Sequence, residues 1–286
     1  MAQQHYPKST IEFIRRNVVY VMGVVGVVAA AVVLFVVAGA VLTGCSVEQG
    51  AANSSEYKSP YDWTKVERNG DRLQYVVDGK VKSRAGVDVS ENQHDIDWDA
   101  VAADGIDFAM VRLGYRGATE GNLYLDSGYW DNLDGARAAG LDCGVYFFSQ
   151  ARTVDEAVEE ADYVLTYLNG TSLEYPIAFD SEVVVTSDGP PRTSSLNGSE
   201  MTAIAKAFCD RVQEAGYRAM VYGNGKDMAR YADEDIAGYP VWWAEYDSSY
   251  PDHDLDITMW QYSNAGEVAG IPAAVDLNID LSGVFS

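Results

Sequence analysis

The sequence predicts an α/β chain in which a closed β/α barrel of eight strands and about five helices follows a transmembrane or lipoprotein signal helix. Three observations carry this. From Gly86 onward, short apolar runs alternate with helix-period patterns over ~200 residues, the size of one barrel. Val18–Leu42 is uncharged, rich in Val and Ala, and free of Pro. Hydrophobic residues make up 48% and aromatics 12% of the 286 residues, which excludes global disorder.

The N-terminal elements come first. At ~1.5 Å per residue, Val18–Leu42 is long enough to cross a hydrocarbon core of ~30 Å. Arg15 and Arg16 precede it, so residues 1–17 read as a cytoplasmic tail and the acidic bulk is placed outside. The segment 18–44 closes on Leu42-Thr43-Gly44-Cys45, which resembles a bacterial lipobox with Cys45 as lipidation candidate. The apolar run is long for a signal peptide. A retained signal anchor and a lipidated Cys45 therefore both stand. Either one tethers the chain to the cell membrane with its bulk on the extracytoplasmic side.

Residues 45–60, rich in Ser, Ala, Gly and Glu, read as a linker. In 61–85, Asn69-Gly70 separates two apolar-bearing runs, the signal of a small β-hairpin extension. The barrel domain takes 86–286. Its candidate strands are 86–89, 107–113, 143–149, 175–182, 219–223, 240–246, 257–262 and 274–279. Helical patterns fill 97–104, 129–139, 153–168, 199–215 and a short piece at 226–232. Thr153 and Glu156 form a capping-box pattern. The last three strands have little helix between them, a departure from a regular eightfold barrel. Cys143 falls in a strand and Cys209 in a helix, and both read as free buried thiols rather than a disulfide.

Composition narrows the chemistry. A net charge of −23 argues against nucleic acid as a partner, because phosphates need Lys and Arg to neutralise them. Besides His5, only His94 and His253 are available for a histidine triad or a histidine-rich metal site. No CxxC pair exists for a cysteine zinc site.

Strand parity then selects acids. In 175–182, Ala178, Asp180 and Glu182 share one face, opposite Ile177, Phe179 and Ser181. The two carboxylates have Cα atoms ~6.6 Å apart at the C-terminal end of a strand, where barrel enzymes keep their sites. Like charges that close raise one pKa, and a raised acid beside an ionised one suits glycoside cleavage. Asp88 is inward by the same parity in Gly86–Ser90, and so are Asp276 and Asn278 in Val275–Ile279. First and last strands of a closed barrel are neighbours, which sets Asp88 beside Asp276. Aromatics gather at the same strand ends: Tyr115, Tyr146, Phe148, Tyr222, Trp242, Trp243, Tyr246, Trp260 and Tyr262. Aromatic faces stack on sugar rings, although core filling is the ordinary fate of any one of them. Ala244 between Trp242 and Tyr246 leaves room for a ligand.

Gly86-Val87-Asp88-Val89-Ser90, Ile96-Asp97-Trp98, Phe108–Tyr115, Gly144–Ser149, Pro176–Glu182, Trp242–Tyr246, Trp260-Gln261-Tyr262-Ser263 and Val275-Asp276-Leu277-Asn278 together resemble the glycoside hydrolase family 25 muramidases. The resemblance covers about 86–286, in order and with matching spacing. It implies a barrel of eight strands and five helices that cuts the β-1,4 bond between N-acetylmuramic acid and N-acetylglucosamine in peptidoglycan. It implies Glu182 as catalytic acid, Asp180 as stabiliser of developing positive charge, and Asp88 and Asp276 in the same pocket. Tyr115, Tyr146, Trp242, Tyr246, Gln261 and Asn278 become the candidate substrate-binding residues. No metal or cofactor is implied, and the partners are peptidoglycan strands and the membrane. Ser181 is smaller than the apolar residue usual in the family motif, and 183–198 is an insertion that could act as a lid or substrate wall. A non-catalytic peptidoglycan-binding module on the same barrel is the alternative. So are a chitinase-like hydrolase, whose motif has an acid where Ala178 stands, and a structural tethered protein.

Overall fold

The structure is a computed structural model that describes residues 59–186, 189–232, 236, 238–251 and 255–284. The expected tail, the membrane or signal segment, Cys45 and the linker up to residue 58 lie outside the described residues. Among the described residues, no helix is long and apolar enough to cross a membrane.

A three-stranded antiparallel sheet comes first: β1 (Val66–Asn69), β2 (Arg72–Val77) and β3 (Lys80–Val81). The expected hairpin is present, with its turn one residue along. Asn69 is the last paired residue of β1, and Gly70-Asp71 make the loop, with Gly70 at φ +62°. The second hairpin was not expected. Its two-residue loop is Asp78-Gly79, both at positive φ (51° and 73°), the backbone that matches strand twist.

Eight strands close the barrel: β4 (Arg84–Val89), β5 (Phe108–Arg116), β7 (Asp142–Phe148), β8 (Ile177–Asp180), β9 (Ala219–Asn224), β10 (Val241–Ala244), β11 (Ile257–Gly266) and β12 (Val275–Asp280). Their order is β4-β12-β11-β10-β9-β8-β7-β5, and pairing of β5 with β4 completes the ring. Seven of these run parallel, whereas β12 is antiparallel to both neighbours, β11 and β4. The short β6 (Leu123–Leu125) adds antiparallel to the end of β5. Five helices are described: α1 (Trp98–Ala103), α2 (Tyr129–Ala138), α3 (Val154–Leu168), α4 (Gly198–Glu214) and α5 (Gly225–Met228). The expected pattern of strands and helices is observed, except that β8 stops at Asp180 and β10 at Ala244, so Glu182 and Tyr246 lie just beyond the strands expected to carry them. A hairpin connection into β12 explains why the last strands lack helices: antiparallel neighbours need no crossover.

The alternation of strand residues divides the core in two. Val87, Val89, Ile177, Phe179, Val221 and Leu277 face outward and pack under the helices. Phe108, Met110, Tyr175, Ala178, Met220, Trp242 and Met259 fill the barrel interior. Strands covered on both faces must be apolar on both. Acids therefore appear only where the interior opens. Cys143 and Cys209 are free and buried, as expected. The Thr153 hydroxyl caps α3 through the Glu156 N–H, but the capping box is not reciprocal. The Glu156 carboxylate turns instead to the Arg152 N–H at 2.7 Å and to Arg192 at 2.8 Å.

Interior packing at the start of β4 demands glycine. A Cβ on Gly86 would overlap the ring of Phe108, which is itself stacked on Tyr175 at 4.3 Å. Gly86→Ala is expected to destabilise the barrel by about 1–3 kcal/mol, the usual cost of overpacking. Urea unfolding measures it, and an unchanged midpoint with an unchanged slope would contradict this packing.

Candidate active site

Acids converge at the C-terminal mouth of the barrel. The register sets Asp276 of β12 directly opposite Asp88 of β4, as first and last strands of a ring require. Across the ring, Asp180 ends β8 and Glu182 follows two residues later. The four carboxylates line one cavity of about 280 Å³ together with Tyr146, Tyr222, Trp242, Tyr246, Gln261 and Asn264. A larger cavity, about 540 Å³, opens at the other end of the barrel. There Tyr175 already donates to Asp280, and Arg84 pairs with Asp142. Size alone does not select the site.

Asp88 is the centre of a buried hydrogen-bond network. Gln261 Nε2 and Asn278 Nδ2 both donate to Asp88 Oδ2 at 2.8 Å. Gln261 Oε1 accepts from the hydroxyls of Tyr222 at 2.9 Å and Tyr246 at 2.7 Å. Trp242 Nε1 donates to Asn278 Oδ1 at 2.7 Å. Each amide therefore has its donors and acceptors oriented, and both NH2 groups point at the carboxylate. Burial raises the Asp88 pKa to about 6, while the two amides and Asp276 act to lower it.

The other acids carry stronger upward shifts. Burial, then the charges of Asp88 and Glu182, raise Asp276 to about 8, and a proton on Asp276 is shared with Asp88. Burial, then Asp227 and Asp88, raise Glu182 to about 7. Asp180 is raised well above the usual range by burial, then by Glu182, Asp227 and Asp88; Arg112 offsets part of this. Its Oδ1 is buried with no hydrogen-bond partner. Such an orphan costs roughly 1–3 kcal/mol unless something binds it. Like charges in so small a space cannot all ionise, so the cluster holds protons at neutral pH.

The expected site residues therefore divide by role. Glu182, Asp180, Asp88, Asp276, Tyr146, Trp242, Tyr246 and Gln261 all line the cavity. Asn278 does not reach it: its side chain has no exposure, and it serves Asp88 from below. Tyr115 is also outside the lining. The unexpected β6 sets Tyr124 directly opposite it, and the two rings stack at 5.2 Å under the Arg112 guanidinium. Trp243, Trp260 and Tyr262 belong to the outer core, because their parity is opposite to that of Trp242 and Gln261. Two residues of the site were missed. Asn264 follows on β11, exposed at the rim. Asp227 is buried behind Glu182 and acts on it and on Asp180. Its signal was the Asn224-x-x-Asp227 spacing of a capping box.

The insertion after Glu182 is tied at its base. Arg192 bonds Glu156, the Gln150 carbonyl and the Ala118 carbonyl, and Thr193 donates to Gln150. Nearer the acid, Val183 and Val185 are exposed, the latter at 97%.

Residues 87–271 match the family model of glycosyl hydrolases family 25. The chain belongs to this family. It is similar to the autolytic lysozyme of Clostridium acetobutylicum, 29% identical over 70% of this chain and 56% of that one. It is 28% identical to lysozyme M1 of Streptomyces globisporus over 68% of this chain and 66% of the other. This chain thus spans little more than half the length of the Clostridium relative. Its fold is like that of the Streptococcus pneumoniae modular autolysin LytC, with a TM-score of 0.63 at 23% identity over 71% of this chain and 51% of that one. It is also like that of the Clostridium perfringens spore cortex lytic enzyme SleM, with a TM-score of 0.62 at 24% identity over 71% and 69%. The family match begins at the second residue of the Gly86–Ser90 motif and leaves the three-stranded sheet outside it.

The raised acids of this family 25 site have a thermodynamic consequence. Asp276 has a folded pKa of about 8, against ~3.9 in an unfolded chain. Between those values the native state binds a proton that the unfolded state does not. The Asp276 contribution to stability therefore falls as pH rises from about 4 to 8. Asp276→Asn removes the penalty and keeps a donor for Asp88. The variant is expected to melt several degrees above the wild type near pH 8 and at the same temperature near pH 4. Parallel melting curves across that range would refute the shift.

Proposed function

We propose that this family 25 chain is an N-acetylmuramidase, a lysozyme that hydrolyses the β-1,4 bond between N-acetylmuramic acid and N-acetylglucosamine in peptidoglycan. The observation that carries the chemistry is the pair at the end of β8. Glu182 has an acid raised to about 7 at an open mouth, next to Asp180 with one oxygen unbonded. Family membership and the two lysozymes at 29% and 28% identity support the substrate class.

Glu182 is the general acid that protonates the glycosidic oxygen. The Asp180 carboxylate, in the cavity wall, is the acceptor for the N–H of the substrate's acetamido group. A hydrogen bond donated to a carboxylate favours its ionised form. Substrate binding therefore draws Asp180 toward the anion, and the added negative charge keeps Glu182 protonated. The Asp180 anion then stabilises positive charge that develops as the bond breaks. An acetamido group held this way is placed for a substrate-assisted, retaining route. Tyr146 and Tyr246 offer ring faces to the sugar, Trp242 is the buried floor behind them, and Asp88 and Asp276 set the electrostatics below.

The tether belongs to the same reading. A signal anchor over 18–44 or a lipid on Cys45 holds residues 61–286 outside the cell membrane, where the wall is, with 45–60 as spacer. The acidic surface suits a protein that does not bind nucleic acid.

Digestion of purified peptidoglycan, with mass spectrometry of the reduced products, tests the proposal. Fragments with N-acetylmuramic acid at the reducing end are expected. Ends in N-acetylglucosamine would make the enzyme a glucosaminidase, and binding without cleavage would favour the glycan-binding module. Glu182→Gln and Asp180→Asn should each lower kcat by more than about 100-fold with glycan binding kept. Near wild-type turnover in either variant would remove that residue from its role. With the acid near 7, kcat/KM should fall steadily above neutral pH. A flat profile to about pH 9 would contradict this assignment.

A further inference from the structure

Glu182 sits where the barrel no longer holds it. Pairing between β8 and β9 stops at Asp180–Tyr222, so no ladder hydrogen bond reaches Glu182. The insertion that follows leaves the barrel at once. A general acid must nevertheless stay within hydrogen-bond reach of its target, and misplacement by ~1 Å costs ~100-fold in rate.

Two side chains just beyond β9 take over from the ladder. Asp227 Oδ1 accepts the Val183 N–H at 2.8 Å. Arg230 Nη1 donates to the Ser181 carbonyl at 3.2 Å. These are the two peptide groups that flank the Glu182 Cα, so both planes that set its backbone direction are tied. The anchors are themselves anchored. Asp227 is buried at the start of α5, and its Oδ2 accepts the Asn224 N–H at 3.3 Å. Asn224 returns the bond by capping the N–H groups of Lys226 and Asp227. Arg230 follows three residues after Asp227, and its backbone N–H bonds the Asp227 carbonyl at 3.1 Å. Its second nitrogen rests on Met201 of α4.

We propose that Asp227 and Arg230 are positioning residues for Glu182, clamping the peptide groups on either side of its Cα so that its carboxyl stays at the barrel mouth. This deepens the muramidase reading and rests on Glu182 being the acid. The clamp has an electrostatic consequence besides. Glu182 is faced by Asp180 from β8, Asp88 from β4, Asp276 from β12, Tyr222 from β9, Tyr246 after β10 and Asp227 from α5. Arg112 of β5 acts on Asp180. After burial, Asp227 is the largest influence that keeps the proton on Glu182. Capping alone would make Asp227 matter to the stability of α5 and leave kcat of the folded protein untouched.

The test uses the full chain, purified in detergent, with a soluble tetrasaccharide of alternating N-acetylglucosamine and N-acetylmuramic acid. Asp227→Asn keeps an acceptor for Val183 and removes the charge. Its alkaline limb in kcat/KM should move about half a unit or more toward acid, with kcat on the acid plateau within a few-fold of wild type. Asp227→Ala and Arg230→Ala remove the ties, and each should lower kcat about 10-fold or more while KM changes little. Titration of the Glu182 carboxyl by 13C NMR reads the same shift in Asp227→Asn without any turnover. Wild-type kcat in Asp227→Ala and Arg230→Ala would overturn the clamp, even if melting temperature fell, and an unmoved limb with an unmoved NMR midpoint in Asp227→Asn would overturn its electrostatic part. Inactive wild-type protein would sink the muramidase reading instead, and the Glu182 13C signal of the two alanine variants, broadened or split where a tie is lost and unchanged where it is not, would still decide the clamp.

Discussion

Two amides aimed at one carboxylate oxygen organise the mouth of this barrel. Gln261 and Asn278 come from neighbouring antiparallel strands, and both donate to Asp88 Oδ2 on a third element, β4. That single acceptor ties the closing seam of the ring at its active end. It also orders the protons. An acid that receives two donors is the easiest of a buried group to ionise, so repulsion pushes the protons onto its neighbours. Asp88 stands at about 6, Glu182 at about 7 and Asp276 at about 8. Glu182 holds its proton near neutrality through burial first, then through the charge of Asp227 and that of Asp88, which the two amides keep ionisable.

The same seam explains the topology. A strictly parallel barrel would require a crossover into its last strand. Here β12 turns back from β11 and runs antiparallel into β4, which brings Asp276 opposite Asp88 and Asn278 beneath both. The rest of the site is built on parallel strands, whose ends are rigid, together with the short turn of α5. Loops supply variation: the insertion after Glu182 is fastened at its base and exposes valines next to the acid. Strand ends place the acids, and the loop beside them is built apart from the barrel core.

Much of this was legible because barrel strands obey a period of two with apolar residues on the outer face. In Val87-Asp88-Val89 and Val275-Asp276-Leu277, the flanking residues have only one place to go, so the acid faces inward. Pairing of the first and last strands then follows from closure. The expectation failed where a contact depends on an element without its own signal. The sequence grouped Tyr115 with the cavity aromatics, and three residues of β6 set it against Tyr124 outside the lining. Asp78-Gly79 did carry a hairpin signal, and Asn224-x-x-Asp227 a capping one, but each is short and sits among stronger neighbours.

The sequence by itself determined the class of fold, the strand order at the seam and which four acids meet, because alternation, burial and closure are properties of order along the chain. Only the tertiary structure decided what those acids are. Whether Gln261 touches a sugar or holds Asp88, and whether Asp227 caps a helix or fixes the neighbour of Glu182, depends on hydrogen bonds between residues 39 to 190 positions apart. A proton's place in a buried cluster is set by distance and desolvation through space, and neither is a function of spacing in sequence.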